Sequence, residues 1–195
     1  GGGAKAMVDD NLIKNWEINE IYGLHNLPSL PVGEFAIKPG ALMAASDFFE
    51  IIVEGKGGHA ALPHFSKDTT LASAAIVLAL QQIVSRRVSA LQSVVLSVTG
   101  LSTDTMAHNV TPDTVRITGT TRFLDEEERQ KMPSSIQKTA ESTAVAYGCS
   151  ANVRYEFGVS VTDNYVENTK FAIAAAKEVV GADNIKTDIE PIMAG

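Results

Sequence analysis

Two of the four histidines lie five residues apart in GKGGHAALPH, residues 55–64, behind three glycines. An imidazole can move a proton near neutral pH, donate to an oxyanion or ligate a metal. Glycine lets the chain turn sharply and bring an N–H or a ring against a ligand. His59 and His64 are therefore candidates for catalysis or metal binding, although a strand-to-helix turn with exposed imidazoles fits the same residues. His25 stands in YGLHNLP, at the end of a run that reads as a short strand. The carboxyl end of a strand is where open α/β sheets collect ligands. Spacing alone leaves His25 a structural histidine, because no second ligand lies at a helical or CxxC-like distance. Asn109, in AHNVTPD, and Arg122, thirteen residues on, could jointly hold a carboxylate from adjacent elements. A turn-forming amide and a solvated guanidinium are the plainer alternative. GGGA lacks the Gly-Lys-Ser/Thr ending and the preceding strand of a phosphate loop. Nothing near Cys149 marks it as reactive.

The elements that must position these side chains follow from hydrophobic periodicity. AKAMVDDNLIKN predicts a helix over 4–15, and 20–25 a short strand. Pro28, Pro31, Gly33, Pro39 and Gly40 break any period, so 26–46 reads as a connection and a domain boundary. DFFEIIVEG alternates, with Phe49, Ile51 and Val53 on one face of a strand. Asp68 can cap a helix running to about Arg87 on the stripe Ala72, Ile76, Leu80 and Ile83. Further strands are predicted over 94–98, 114–123 and 151–157. A helix opens at Asp125 and the acidic run Glu126 to Glu128, and continues past a bend at Pro133 to Gly148.

This β-α-β-β-α-β order predicts an α+β fold of ferredoxin-like type, with a four-stranded antiparallel sheet and two helices on one face. The helix expected over 167–180 and the strand over 185–189 fit neither half of it. Residues 1–45 and 159–195 are therefore expected to be fragments of a second domain, into which 46–158 is inserted.

Composition narrows the partners. The net charge of −7 disfavours nucleic acid and anionic membranes, which need clustered Lys and Arg. No apolar run approaches the roughly 20 residues of a membrane span. The single cysteine excludes an intrachain disulfide and suits a reducing, cytoplasmic setting.

Together GGGAKAMVDD, YGLHNLPSLPVG, GKGGHAALPH, NVTPD, GTTRF and IEPIMAG resemble the amidohydrolase branch of the M20 metallopeptidase family, in order and in separation. That group comprises hippurate hydrolases and N-acyl-amino-acid amidohydrolases. The resemblance implies a lid, or dimerisation, domain inserted in an α/β zinc-peptidase-like catalytic domain, and a homodimer formed through the lid. It implies hydrolysis of N-acyl amino acids with one or two divalent ions, zinc or manganese, per full-length subunit. His25 matches a metal ligand. His59 matches the functional lid histidine, an oxyanion donor acting in the partner's site, and Asn109 and Arg122 match substrate-binding positions. His64 acquires no role. The family's CGHDGH-type segment and paired glutamates would lie upstream, so the chain is expected to be the middle of such an enzyme, inactive alone. Thr111 and TDTMAH depart from the pattern without touching the matched polar positions. Two rivals remain: a carboxypeptidase or aminoacylase of the same superfamily, and a non-catalytic dimerisation or small-molecule-binding module.

Overall fold

The computed structural model describes residues 3–193. The first two glycines of GGGAKAMVDD and the last two residues of IEPIMAG, which figure in the family resemblance, lie outside the described residues. In chain order the elements are α1 (Gly3–Asp9), α2 (Leu12–Asn15), β1 (Phe35–Ala36), β2 (Gly40–Met43), β3 (Ala45–Glu54) and β4 (Gly58–His59). They continue with α3 (Thr69–Gln82), β5 (Val94–Thr103), β6 (Val110–Thr111), β7 (Thr114–Phe123) and α4 (Glu126–Ala146). The last are β8 (Ser150–Val159), β9 (Thr162–Asn164), α5 (Val166–Val180) and β10 (Ile185–Lys186).

The chain forms two compact units. The smaller comprises the chain up to Gly40 together with Asn164–Ile189, and the larger Ala41–Asp163 with the segment from Glu190 onward. In the smaller unit β1 pairs in parallel with β10. The helix expected over 4–15 is broken, because Asn11 takes a left-handed conformation (φ 60°) between α1 and α2. Asparagine tolerates that region better than other non-glycine residues. The run 20–25 forms no regular element and joins no ladder among the described residues, and a strand without a neighbour has nothing to hold its register. His25 is thus not the end of a paired strand. The strand expected over 185–189 shortens to Ile185–Lys186.

In the larger unit four antiparallel strands form a sheet in the order β5-β7-β3-β8. β3 and β7 are central, and alternate residues of each point to one buried face. Helices α3 and α4 cover that face, where Ile51, Val53, Ile76, Leu80, Ile117, Phe123 and Ile136 are fully buried. Both helices start as their caps direct. The Asp68 carboxylate accepts from Leu71 N at 3.0 Å, and that of Asp125 from Glu128 N at 2.9 Å. α4 runs through Pro133 without ending. β5 extends to Thr103, past the predicted end, with a register shift between Val98 and Gly100.

One feature of the core face is polar. Asp47 is fully buried and its carboxylate accepts from Arg129 Nε (2.9 and 3.2 Å) and Nη2 (2.8 Å), Tyr155 Oη (2.9 Å) and Gly158 N (2.9 Å). Arg129, itself buried, also reaches Glu126 at 3.0 Å and Ser160 Oγ at 3.3 Å, and lies over the Phe157 ring. These hydrogen bonds hold the guanidinium charged, and burial holds the Tyr155 phenol above its ordinary value. Removing one partner strands a buried charge, a loss of roughly 3–5 kcal/mol, whereas replacing both with apolar groups of similar volume is often neutral. We expect Arg129→Met to lower the denaturation midpoint sharply and Asp47→Leu/Arg129→Met to recover most of it. Equal midpoints for wild type and Arg129→Met would contradict the assignment.

Candidate functional site

GKGGHAALPH begins where β3 ends, and its shape is set by Asp113. The Asp113 carboxylate accepts from Gly57 N at 2.7 Å, and its carbonyl accepts from Gly55 N at 3.0 Å. Thus clamped, the loop forms β4, which pairs with β6 so that Gly58 faces Thr111 and His59 faces Val110. Ala60 N donates to Asn109 O at 2.9 Å. His59 and Asn109 are therefore carried together on one small ribbon beside the Thr114 end of β7, and both are exposed.

The two sequence-matched histidines both bond through Nδ1, but in opposite roles. Ala61 N donates to His59 Nδ1 at 3.2 Å, so Nδ1 is an acceptor and the neutral ring carries its proton on Nε2. His25 Nδ1 lies 2.7 Å from the Asn26 carbonyl, which can only accept, so its Nε2 is bare. The first arrangement suits a hydrogen-bond donor, and the second suits a metal ligand whose other nitrogen is anchored. His64 stacks against Phe65, with centroids 4.1 Å apart, in the turn Pro63–Phe65.

Arg122 lies on the strand predicted for it, but out of reach of Asn109. It sits at the far end of β7, on the rung with Ser46 and Val95. The eight steps from Thr114 to Arg122 cover about 27 Å at ~3.4 Å per residue, so Asn109 and Arg122 of one chain cannot grip one carboxylate. Arg122 is half-buried above Phe48, 6.0 Å from the ring centroid. Its Nη1 donates to Thr120 Oγ1 and, at 3.0 Å, to the Thr121 carbonyl. The Nε–Nη2 edge has no partner among the described residues. Arg129 and Arg116, by contrast, are paired to carboxylates.

No group of three or more His, Cys, Asp or Glu side chains converges as metal ligands would, among the described residues. A catalytic zinc generally takes three protein ligands and a water. His25 fits as one ligand, and the described residues do not make up a complete centre. Burial raises the Cys149 thiol above its ordinary value, so it stays protonated and unreactive. No described helix is long and apolar enough to cross a membrane.

Sequence reasoning missed Asp47, Arg129, Tyr155, Asp113 and Thr120. One signal was present for Asp47, which shares the parity of Phe49, Ile51 and Val53 and therefore falls on the buried face.

The larger unit is thus an antiparallel sheet with two helices on one face. Residues 46–148 match the peptidase dimerisation domain of the M20 family. The chain belongs to the M20 family. It is 39% identical over 153 residues to the N-acetylcysteine deacetylase of Bacillus subtilis, covering 78% of this chain and 40% of that protein. With the hippurate hydrolase of Campylobacter jejuni it shares 36% identity over 193 residues, 99% of this chain and 50% of that protein. The crystal structure of the Bacillus subtilis YXEP protein, a dinuclear metal-binding peptidase of the M20 family, superposes with a TM-score of 0.75 at 28% identity, over 98% of this chain and 46% of that one. The chain thus spans half or less of the length of these relatives.

The ribbon yields a test of its own. A Cβ on Gly57 would stand 2.5 Å from the Thr111 carbonyl, so Gly57→Ala must push β4 from β6. Overpacking of this kind costs about 1–3 kcal/mol, here confined to the ribbon. Amide exchange at Ala60 should quicken about tenfold or more, with the sheet amides unchanged. Unaltered exchange at Ala60 would show that the ribbon does not depend on that close approach.

Proposed function

We propose that the chain belongs to an amidohydrolase that cleaves the amide of N-acyl amino acids, with the larger unit serving as a ferredoxin-like lid inserted in an α/β catalytic domain. The observation that carries this reading is Arg122, a half-buried guanidinium whose side-on fork is free of any carboxylate among the described residues. That fork matches a carboxylate bidentately, and an N-acyl amino acid presents one. His59, with its proton on Nε2, is a donor suited to an oxyanion developing at the acyl carbonyl. His25 Nε2 is assigned as one ligand of a divalent ion, zinc or manganese, which when bound acts as Lewis acid and activates water. The relatives named for deacetylation and hippurate hydrolysis support the same bond and substrate class.

The separation of about 27 Å along β7 gives the lid two working ends. His59 and Asn109 travel together, and Arg122 stands apart. In a homodimer one subunit then supplies the ribbon pair and the other supplies Arg122 to each site. In the full-length enzyme, His59→Ala should lower kcat by roughly 10²–10³. Arg122→Ala should chiefly raise KM, by about 30-fold or more. Mixed His59→Ala and Arg122→Ala subunits should regain one working site per mixed dimer, whereas His59→Ala mixed with Asn109→Ala should regain none. Wild-type kinetics in both single variants would return these residues to the surface.

The pairing surface is assigned to α3 and β5. Buried Ala72, Ile76 and Leu80 line the core side of α3, yet Leu71 and Leu78, one heptad apart, are 56% and 75% exposed with Ala74 and Ala75 between them. This second apolar stripe lies on the helix that contacts β5, whose outer edge is unpaired among the described residues. An open edge beside an apolar helix face invites a second copy. Leu78→Asp should shift the enzyme toward monomer by light scattering at micromolar concentration. A dimer of undiminished strength in Leu78→Asp would place the interface elsewhere.

A further inference from the structure

We infer that Thr120 sets the direction of the Arg122 guanidinium and is thereby a positioning residue for a substrate carboxylate; this rests on the reading of Arg122 given above. Thr120 and Arg122 are two apart on β7 and so project from the same face of the sheet. The Thr120 hydroxyl donates its one proton to the Asp47 carbonyl at 2.7 Å. Having done so, it can only accept, and it accepts from Arg122 Nη1. The relay therefore has one polarity: guanidinium to hydroxyl to carbonyl. Its end is immobile, because the Asp47 carboxylate is held on the opposite face by Arg129, Tyr155 and Gly158 N.

Threonine suits this task through its branch as well as its hydroxyl. A β-branched side chain on a strand has few χ1 choices, so the oxygen stays where Arg122 needs it. Phe48, cross-strand from Thr120, lies under the guanidinium. With Nη1 turned to Thr120 and the Thr121 carbonyl, the edge left over is Nε–Nη2, and it is this edge that the relay presents to a ligand. A long arginine without such a tether loses side-chain entropy on binding, which weakens its grip on the ligand.

The test uses the full-length enzyme with N-benzoylglycine and its amide, N-benzoylglycinamide, which lacks the carboxylate. Thr120→Val keeps the branch and removes the acceptor. It should raise KM for N-benzoylglycine about tenfold, the scale of one hydrogen bond to a charged group, with kcat within about twofold. Thr120→Ser, which restores the hydroxyl, should return KM close to wild type. For the amide, Thr120→Val and wild type should be alike, and in an Arg122→Ala background Thr120→Val should add nothing. If Thr120→Val does not fold by circular dichroism, Thr120→Ala reads the same loss of the acceptor. An unchanged KM in these variants, with KM raised in Arg122→Ala, overturns the positioning role and leaves Arg122 as the grip. An effect that persists in the Arg122→Ala background, or falls equally on the amide, also overturns it, because the residue would then act through the fold. Unchanged KM in Arg122→Ala itself overturns the reading of Arg122 on which the inference stands.

Discussion

A carboxylate with no access to water, Asp47, and the arginine that neutralises it hold the larger unit in its shape. Desolvating both ions costs several kcal/mol each, and only near-complete hydrogen bonding can offset that. Here both carboxylate oxygens are engaged, and the guanidinium is shared among Asp47, Glu126 and Ser160. The participants come from the first turn of α4, the start of the central strand β3 and the end of the edge strand β8. Packing alone would locate these elements face to face. The ion pair fixes how far each may slide along its neighbour, because a shift of one residue would bury unpaired charge.

From that fixed end the sheet works as a ruler. β7 is ten residues long and straddled by β3 and β5, so its two ends keep their separation. The Arg122 end is tied to the ion pair through Thr120 and the Asp47 carbonyl, and the other end is tied to the histidine ribbon through Asp113. Opposite functional groups at opposite ends of a stiff strand cannot meet within one subunit, whatever the loops do. Under the proposed function, association between copies is the arrangement that lets both ends serve, and the second apolar stripe on α3 is the surface proposed for it.

The strands were legible because alternation is a two-residue signal and each half-buried strand shows it: Phe49, Ile51 and Val53, then Val115, Ile117 and Phe123. The helices were legible from Asp68 and Asp125, whose side chains cap as their positions suggest. The four family-matched polar residues stood out in the sequence as members of motifs, and their places relative to one another did not. Adjacent elements in sequence suggested that Asn109 and Arg122 act together, although the strand predicted over 114–123 already sets Arg122 at its far end from Asn109. Arg129 hid in EEERQ, where it reads as one more charge on a solvated helix, since burial of a long cation depends on a partner 82 residues away. The ribbon of Gly58–His59 with Val110–Thr111 is too short for any periodicity to announce it. The break at Asn11 was invisible because the helical turns on either side preserve the same spacing.

The pairing of β2 with β9 has a consequence for how such a chain can be assembled at all. These strands flank the larger unit where the chain enters it and leaves it. An unstructured insertion of this length would impose a loop-closure cost on its host of ~4 kcal/mol, growing only slowly with length. Here β2 and β9 pair with each other, so the two ends of the segment between them are held together by its own hydrogen bonds. To any chain carrying such a segment, more than a hundred residues would behave like a short hairpin turn. A fold with a clasped neck can be gained, lost or exchanged between hosts while leaving their own chain entropy nearly untouched.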